Sequence, residues 1–125
     1  LSMCAVTTKK QSREDGSEKK KYQGDGILKT IPLSDFCILL DEKGKSFKSS
    51  VDFSIELRKT IENHRGKITF VIGGPYGVHE NIRERVNTIW RLSELTMNHH
   101  LAKAVLLEQI YRATTIWEKK PYHNI

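Results

Sequence analysis

Cysteine is scarce: the 125 residues hold 2, Cys4 and Cys37, far apart and in apolar surroundings, with no CxxC pair. A disulfide-stapled scaffold and a cysteine-based zinc site are therefore not expected, and two free thiols in a reducing compartment are. Long hydrophobic runs are missing too. The longest, such as Phe36-Cys37-Ile38-Leu39-Leu40, fall far short of the roughly 20 residues that cross a bilayer, and no apolar secretory stretch opens the sequence. A soluble, cytoplasmic protein is expected. The 5 histidines show neither HxxxH nor HExxH spacing, so no metal site is predicted. GxGxxG and Walker A patterns are also missing, which leaves nucleotide-phosphate binding unsupported.

What the sequence does have is positive charge. With 21 Lys+Arg against 15 Asp+Glu the net charge is +6, which tilts the choice of partner towards polyanions such as RNA without deciding it. The length suits one domain with one core, spanning residues 1–125. Residues 1–6 read as a short first strand. Residues 9–26 are rich in charge, Ser, Gln and Gly, and read as a mobile loop. Ile27, Leu28 and Ile31 fit a brief helical turn before Pro32. Two continuous apolar runs, 36–40 and 68–72, have the pattern of strands buried on both faces of a parallel sheet, the first closed by Asp41-Glu42-Lys43-Gly44. Between them, 54–63 carries Ile55, Leu57 and Ile61 among charges and predicts a crossover helix. Further helices are predicted over 79–90, from Ile82, Val86, Ile89 and Trp90, and over 99–117, whose apolar band is wide enough to meet a second subunit as well as the sheet.

Three segments carry chemistry. Gly73-Gly74-Pro75-Tyr76-Gly77 follows a buried strand, where ligands gather in open α/β sheets and where glycine lets the backbone approach them closely; a tight turn would look the same. Leu92, Ser93, Glu94, Leu95, Thr96 and Met97 form an unusually apolar interhelical stretch with backbone donors suited to an adenine ring. The tail Lys119-Lys120-Pro121-Tyr122-His123 combines cations for phosphate, a ring that stacks and an imidazole that moves protons near neutrality. Lys119, Lys120, Arg112 and Arg91 are the cations read as phosphate contacts.

Taken in order, Phe70-Val71-Ile72-Gly73-Gly74-Pro75-Tyr76-Gly77, Leu92-Ser93-Glu94-Leu95-Thr96-Met97-Asn98-His99, Leu107-Glu108-Gln109-Ile110-Tyr111-Arg112-Ala113 and Pro121-Tyr122-His123 resemble the ribosomal RNA large-subunit methyltransferase H family of the SPOUT superfamily. The resemblance implies an α/β fold: a parallel sheet flanked by helices, with a C-terminal trefoil knot around S-adenosylmethionine. It further implies a homodimer that methylates N3 of a pseudouridine in 23S ribosomal RNA of the large subunit. Carried over by motif, the cofactor residues are Leu40, Gly73, Leu92, Ser93, Glu94, Leu95, Thr96 and Met97. By the chemistry of their side chains, the catalytic candidates are His123 to take the N3 proton, Tyr122 to stack on or orient the base and Arg112 to bind phosphate or polarise a carbonyl. A non-catalytic RNA-binding knot domain is the alternative. The sequence departs from the family in a shortened N-terminal part, which puts the sheet edge in question, and in Asn98-His99-His100, which replaces the commoner Pro-His-Gln where the last helix begins.

Overall fold

A computed structural model of the chain describes residues 2–5, 28–64, 66–73, 78 and 80–123. Four strands form one sheet in the order β1-β3-β2-β4, with β1 at Ser2–Ala5, β2 at Phe36–Lys45, β3 at Ile68–Ile72 and β4 at Thr88–Trp90. Every pairing is parallel. Helix α1 (Ser50–Asn63) links β2 to β3, α2 (Glu80–Arg85) links β3 to β4, and α3 (His99–Trp117) follows β4. The loop expected over 9–26 lies outside the described residues.

Continuous apolarity in β2 and β3 has its cause in the two covered faces. Ile38, Leu40, Phe70 and Ile72 join Phe53 and Leu57 of α1 and Leu106 and Ala113 of α3 in one buried cluster. Cys37, Leu39 and Val71 point the other way, towards Ile31 and Ile82 of α2. The period-2 alternation of a strand therefore sends apolar side chains into a core on each side. Trp90 is 1 % exposed and meets Phe47 and Phe53 edge-on at centroid distances of 5.3 and 5.7 Å, an arrangement that aromatic quadrupoles favour.

Helix boundaries follow from capping. The Ser49 hydroxyl accepts from the Asp52 amide at 3.1 Å, so α1 begins at Ser50, four residues before the sequence pattern placed it. Asn98 Oδ1 accepts from the Leu101 amide at 2.9 Å and opens α3. The departure from Pro-His-Gln therefore supplies a good N-cap side chain in place of a proline.

Two expectations are corrected. The helix predicted over 79–90 ends at Arg85, and Thr88–Trp90 is instead the edge strand β4. Asn87 makes the change: its Oδ1 accepts from the Cys37 amide at 2.8 Å and its own amide donates to the Cys37 carbonyl at 2.9 Å. The chain is thereby clamped to β2 just before the β-branched and aromatic residues that suit a strand. Strand β2 also continues beyond Leu40 to Lys45. It is irregular there: Leu40 and Lys45 both pair with Trp90, and the residues between them bulge. Gly44 makes that bulge possible, because a Cβ on it would lie 2.6 Å from the backbone carbons of Ile89 and Trp90.

Gly44→Ala is expected to force β2 and β4 apart and to destabilise the fold by about 1–3 kcal/mol. Equilibrium denaturation of the variant beside wild type measures it, and an unchanged midpoint would show that the bulge relaxes freely.

Candidate functional site

Parallel pairing puts the carboxyl ends of β2, β3 and β4 at one edge, with Leu40 opposite both Ile72 and Trp90. A cavity of about 550 Å³ opens there, within the size range of small-molecule sites. Leu40 and Gly73 line it from the strand ends, and Leu92, Ser93, Leu95, Thr96 and Met97 line it from the segment before α3. The structure thus brings together residues that stand far apart in sequence, all of them among the cofactor candidates. Glu94 is the exception: its side chain is 87 % exposed and does not face the cavity.

The cavity has further walls that sequence reasoning missed. Asp41 and Glu42 enter from the β2 bulge, Arg91 from the residue after β4, and Asn98 and Ala102 from the start of α3. Asp41 and Glu42 stand directly after a buried parallel strand, which is a usable signal for a ligand edge. Arg91 offered none beyond its charge. Asp41 is already engaged, with its Oδ1 3.2 Å from Arg83 Nη2. The apolar walls suit a flat aromatic base, Gly73 leaves room for close backbone approach, and the hydroxyls of Ser93 and Thr96 offer polar contacts at the edge. These residues fit an adenosyl group with a charged amino-acid end.

The catalytic candidates also come together, at a different place. Lys119 adopts a left-handed conformation (φ 58°) that turns the chain back after α3. Arg112 Nη1 then meets His123 Nδ1 at 2.9 Å, and its guanidinium lies 4.9 Å from the Tyr122 ring centroid. Glu108 organises the group: its Oε1 accepts from Arg112 Nη2 at 2.6 Å and from the Tyr122 hydroxyl at 3.2 Å. The Arg112 hydrogen bond holds the Glu108 carboxyl below its usual range and, reciprocally, raises Arg112. Guanidinium can only donate, so His123 Nδ1 accepts, and the proton of the neutral ring sits on Nε2. None of Arg112, Tyr122 and His123 lines the cavity. Ten residues of helix separate Ala102 from Arg112, about 15 Å at 1.5 Å per residue.

Among the described residues no helix is long and apolar enough to cross a membrane. A family model described as "Predicted SPOUT methyltransferase" matches residues 1–123. Proteins named "Ribosomal RNA large subunit methyltransferase H" are similar along most of the chain. That of Bdellovibrio bacteriovorus is 41 % identical over 121 residues, covering 97 % of this chain and 77 % of its own length. That of Christiangramia forsetii is 40 % identical, over 93 % of this chain and 73 % of its own, and that of Flavobacterium johnsoniae is 42 % identical, over 86 % and 68 %.

The lowered Glu108 pKa makes a prediction about the tail. A carboxylate held below its unfolded value stabilises the fold at pH above that value, and the contribution fades as pH falls through the folded one. Glu108→Gln is therefore expected to lose about 1 kcal/mol or less at neutral pH, since the pair is partly exposed and screened. The difference from wild type should shrink below the ordinary carboxylate range; urea denaturation from neutral to acid pH reads it, and a constant gap would contradict the assignment.

Proposed function

The chain belongs to the ribosomal RNA large subunit methyltransferase H family, within the SPOUT methyltransferases, and on that premise we propose that it methylates N3 of a pseudouridine in 23S ribosomal RNA, using S-adenosylmethionine, in the cytoplasm. The observation that carries this reading is the convergence of Leu40, Gly73 and five residues of the 92–97 segment on one cavity at the carboxyl edge of the sheet. The C-terminal part is read as the trefoil knot of the family, with 92–97 as its cofactor loop. The same cavity favours an enzyme over a non-catalytic RNA-binding knot, which would have no use for a preserved pocket.

When bound, S-adenosylmethionine supplies a methyl group already activated by its sulfonium, whose C–S electron pair returns to sulfur as the new N–C bond forms. The protein's task is then alignment and removal of the N3 proton. Leu40, Leu92, Leu95 and Met97 hold the adenine, and Gly73 allows main-chain contact. His123 receives the proton. Its Nδ1 lone pair is occupied by Arg112 in the free chain, so the proposed sequence begins when a phosphate or a uracil carbonyl draws Arg112 away. Tyr122, 44 % exposed, stacks on or orients the base.

A homodimer belongs to this reading. Leu107 and Tyr111, four residues apart on one side of α3, are 45 % and 56 % exposed, an apolar pair suited to a partner helix. The separation of about 15 Å along α3 keeps the tail away from its own cavity, so pairing two chains lets the tail of one reach the cavity of the other. Two subunits also pool the cations that grip a folded RNA.

Methyl transfer from tritiated S-adenosylmethionine to free ribosomal RNA, to isolated subunits and to whole ribosomes tests the function; label in none of them would refute it. Gly73→Val is expected to abolish cofactor binding while leaving the fold intact. Deleting residues 119–125 should spare cofactor binding and dimerisation yet stop methylation, and should flatten the salt dependence of RNA binding by about 0.7–0.9 in log–log slope for each phosphate that is no longer neutralised. Leu107→Glu should give monomers in sedimentation at micromolar concentration; a dimer that survives it would place the interface elsewhere.

A further inference from the structure

We propose that Arg91 is the cofactor's carboxylate anchor, gripping the α-carboxylate of its amino-acid end; the inference rests on the cofactor reading above and extends it to a residue outside the motif loop. Its place in the fold is firm. The Arg91 amide donates to the Lys45 carbonyl at 2.7 Å, which fixes the residue where β4 ends and the bulge of β2 returns. Among the described lining residues it is the cation of the cavity.

Within the chain its side chain has only a loose anionic partner. Arg91 Nε is buried and has no hydrogen-bond partner among the described residues. The nearest carboxylate, Glu94 Oε1, lies 3.7 Å from Nη2, beyond hydrogen-bond length, on a side chain that is 87 % exposed. Asp41, also in the wall, is held by Arg83. Nε itself carries almost no accessible surface, whereas the side chain as a whole is 30 % exposed, so the Nη end is what an anion in the cavity meets, and its two parallel N–H donors match the two oxygens of a carboxylate. The hydrated, loosely held Glu94 is a weak competitor for that end. Of the two anions this protein is read to meet, the cofactor carboxylate enters the cavity, whereas RNA phosphates stay outside it. The cation read from sequence as a phosphate contact is thereby reassigned to the pocket.

Calorimetric titration of the full chain with S-adenosylhomocysteine and with methylthioadenosine, which lacks the amino-acid end, separates the possibilities. Arg91→Met is expected to weaken S-adenosylhomocysteine about tenfold or more, the size of a broken charged hydrogen bond, and to leave methylthioadenosine unchanged, which also reports an intact pocket. Arg91→Lys, with the charge but not the fork, should fall between. Equal weakening of both ligands, or no change in either, overturns the proposal. Unchanged S-adenosylhomocysteine affinity with a salt slope for RNA reduced by about one overturns it in favour of a phosphate contact. Failure of the wild type to bind either ligand refutes the cofactor reading itself, a result distinct from failure of the Arg91 assignment alone.

Discussion

Everything at the candidate site depends on the parallel pairing of β2 with both of its neighbours. Phe36–Lys45 is flanked by β3 and β4, and the register sets Leu40 beside Ile72 on one side and Trp90 on the other. In a parallel sheet all three strands leave in the same direction, so the next residues, Asp41, Gly73 and Arg91, emerge at one edge. The cavity is a consequence of register more than of any loop's own preference. A slip of one residue would turn Leu40 from the core to the other face and scatter the three exits. The two apolar cores resist such a slip, because Cys37 and Leu39 fill one while Ile38 and Leu40 fill the other.

How much of this was legible in sequence follows from how local each signal is. Strand β3 and helix α3 have their observed ends in the sequence pattern, the first because five successive apolar or β-branched residues admit few other readings, the second because a wide apolar band recurs from Leu101 to Ile116. Strand β4 was not legible. Ile82, Val86, Ile89 and Trp90 lie at helical spacing, and a three-residue strand has no period of its own. Only its pairing with β2, through the Asn87 clamp on Cys37, makes it a strand. The extension of β2 to Lys45 was hidden for a related reason: Asp41 to Gly44 have the composition of a turn, and the bulge is in effect a turn built within a strand.

The site was legible through motif order rather than physics. Leu40, Gly73 and the 92–97 segment have no sequence property that places them together, and it is the fold that does so. Conversely, the contributions of Arg91 and Ala102 depend on how β4 and the start of α3 are set against β2, which no linear pattern encodes. Charge was the misleading cue for Arg91: on a basic protein every arginine reads as a phosphate contact until its place in a cavity wall distinguishes it.

Helix α3 imposes the remaining logic. Its first turn borders the cavity through Asn98 and Ala102, and its last turns carry Glu108 and Arg112 with Tyr122 and His123 folded back on them. A straight helix cannot shorten, so binding and proton handling stay apart within one chain. The tail network is moreover closed on itself: Glu108 accepts from Arg112, Tyr122 and Gln109, Arg112 spends its edges on Glu108 and His123, and Tyr122 is held by both its ring and its hydroxyl. Such a network is stable while solvated and unpartnered, yet Arg112 is bound to a carboxylate and an imidazole by contacts that a polyanion can replace with others of the same kind. An RNA phosphate arriving at α3 therefore exchanges one charge-assisted contact for another at small net change, and releases His123 Nδ1 as it does so. On the proposed mechanism that exchange couples substrate arrival to the appearance of a free base, so the proton acceptor exists only when there is a proton to accept.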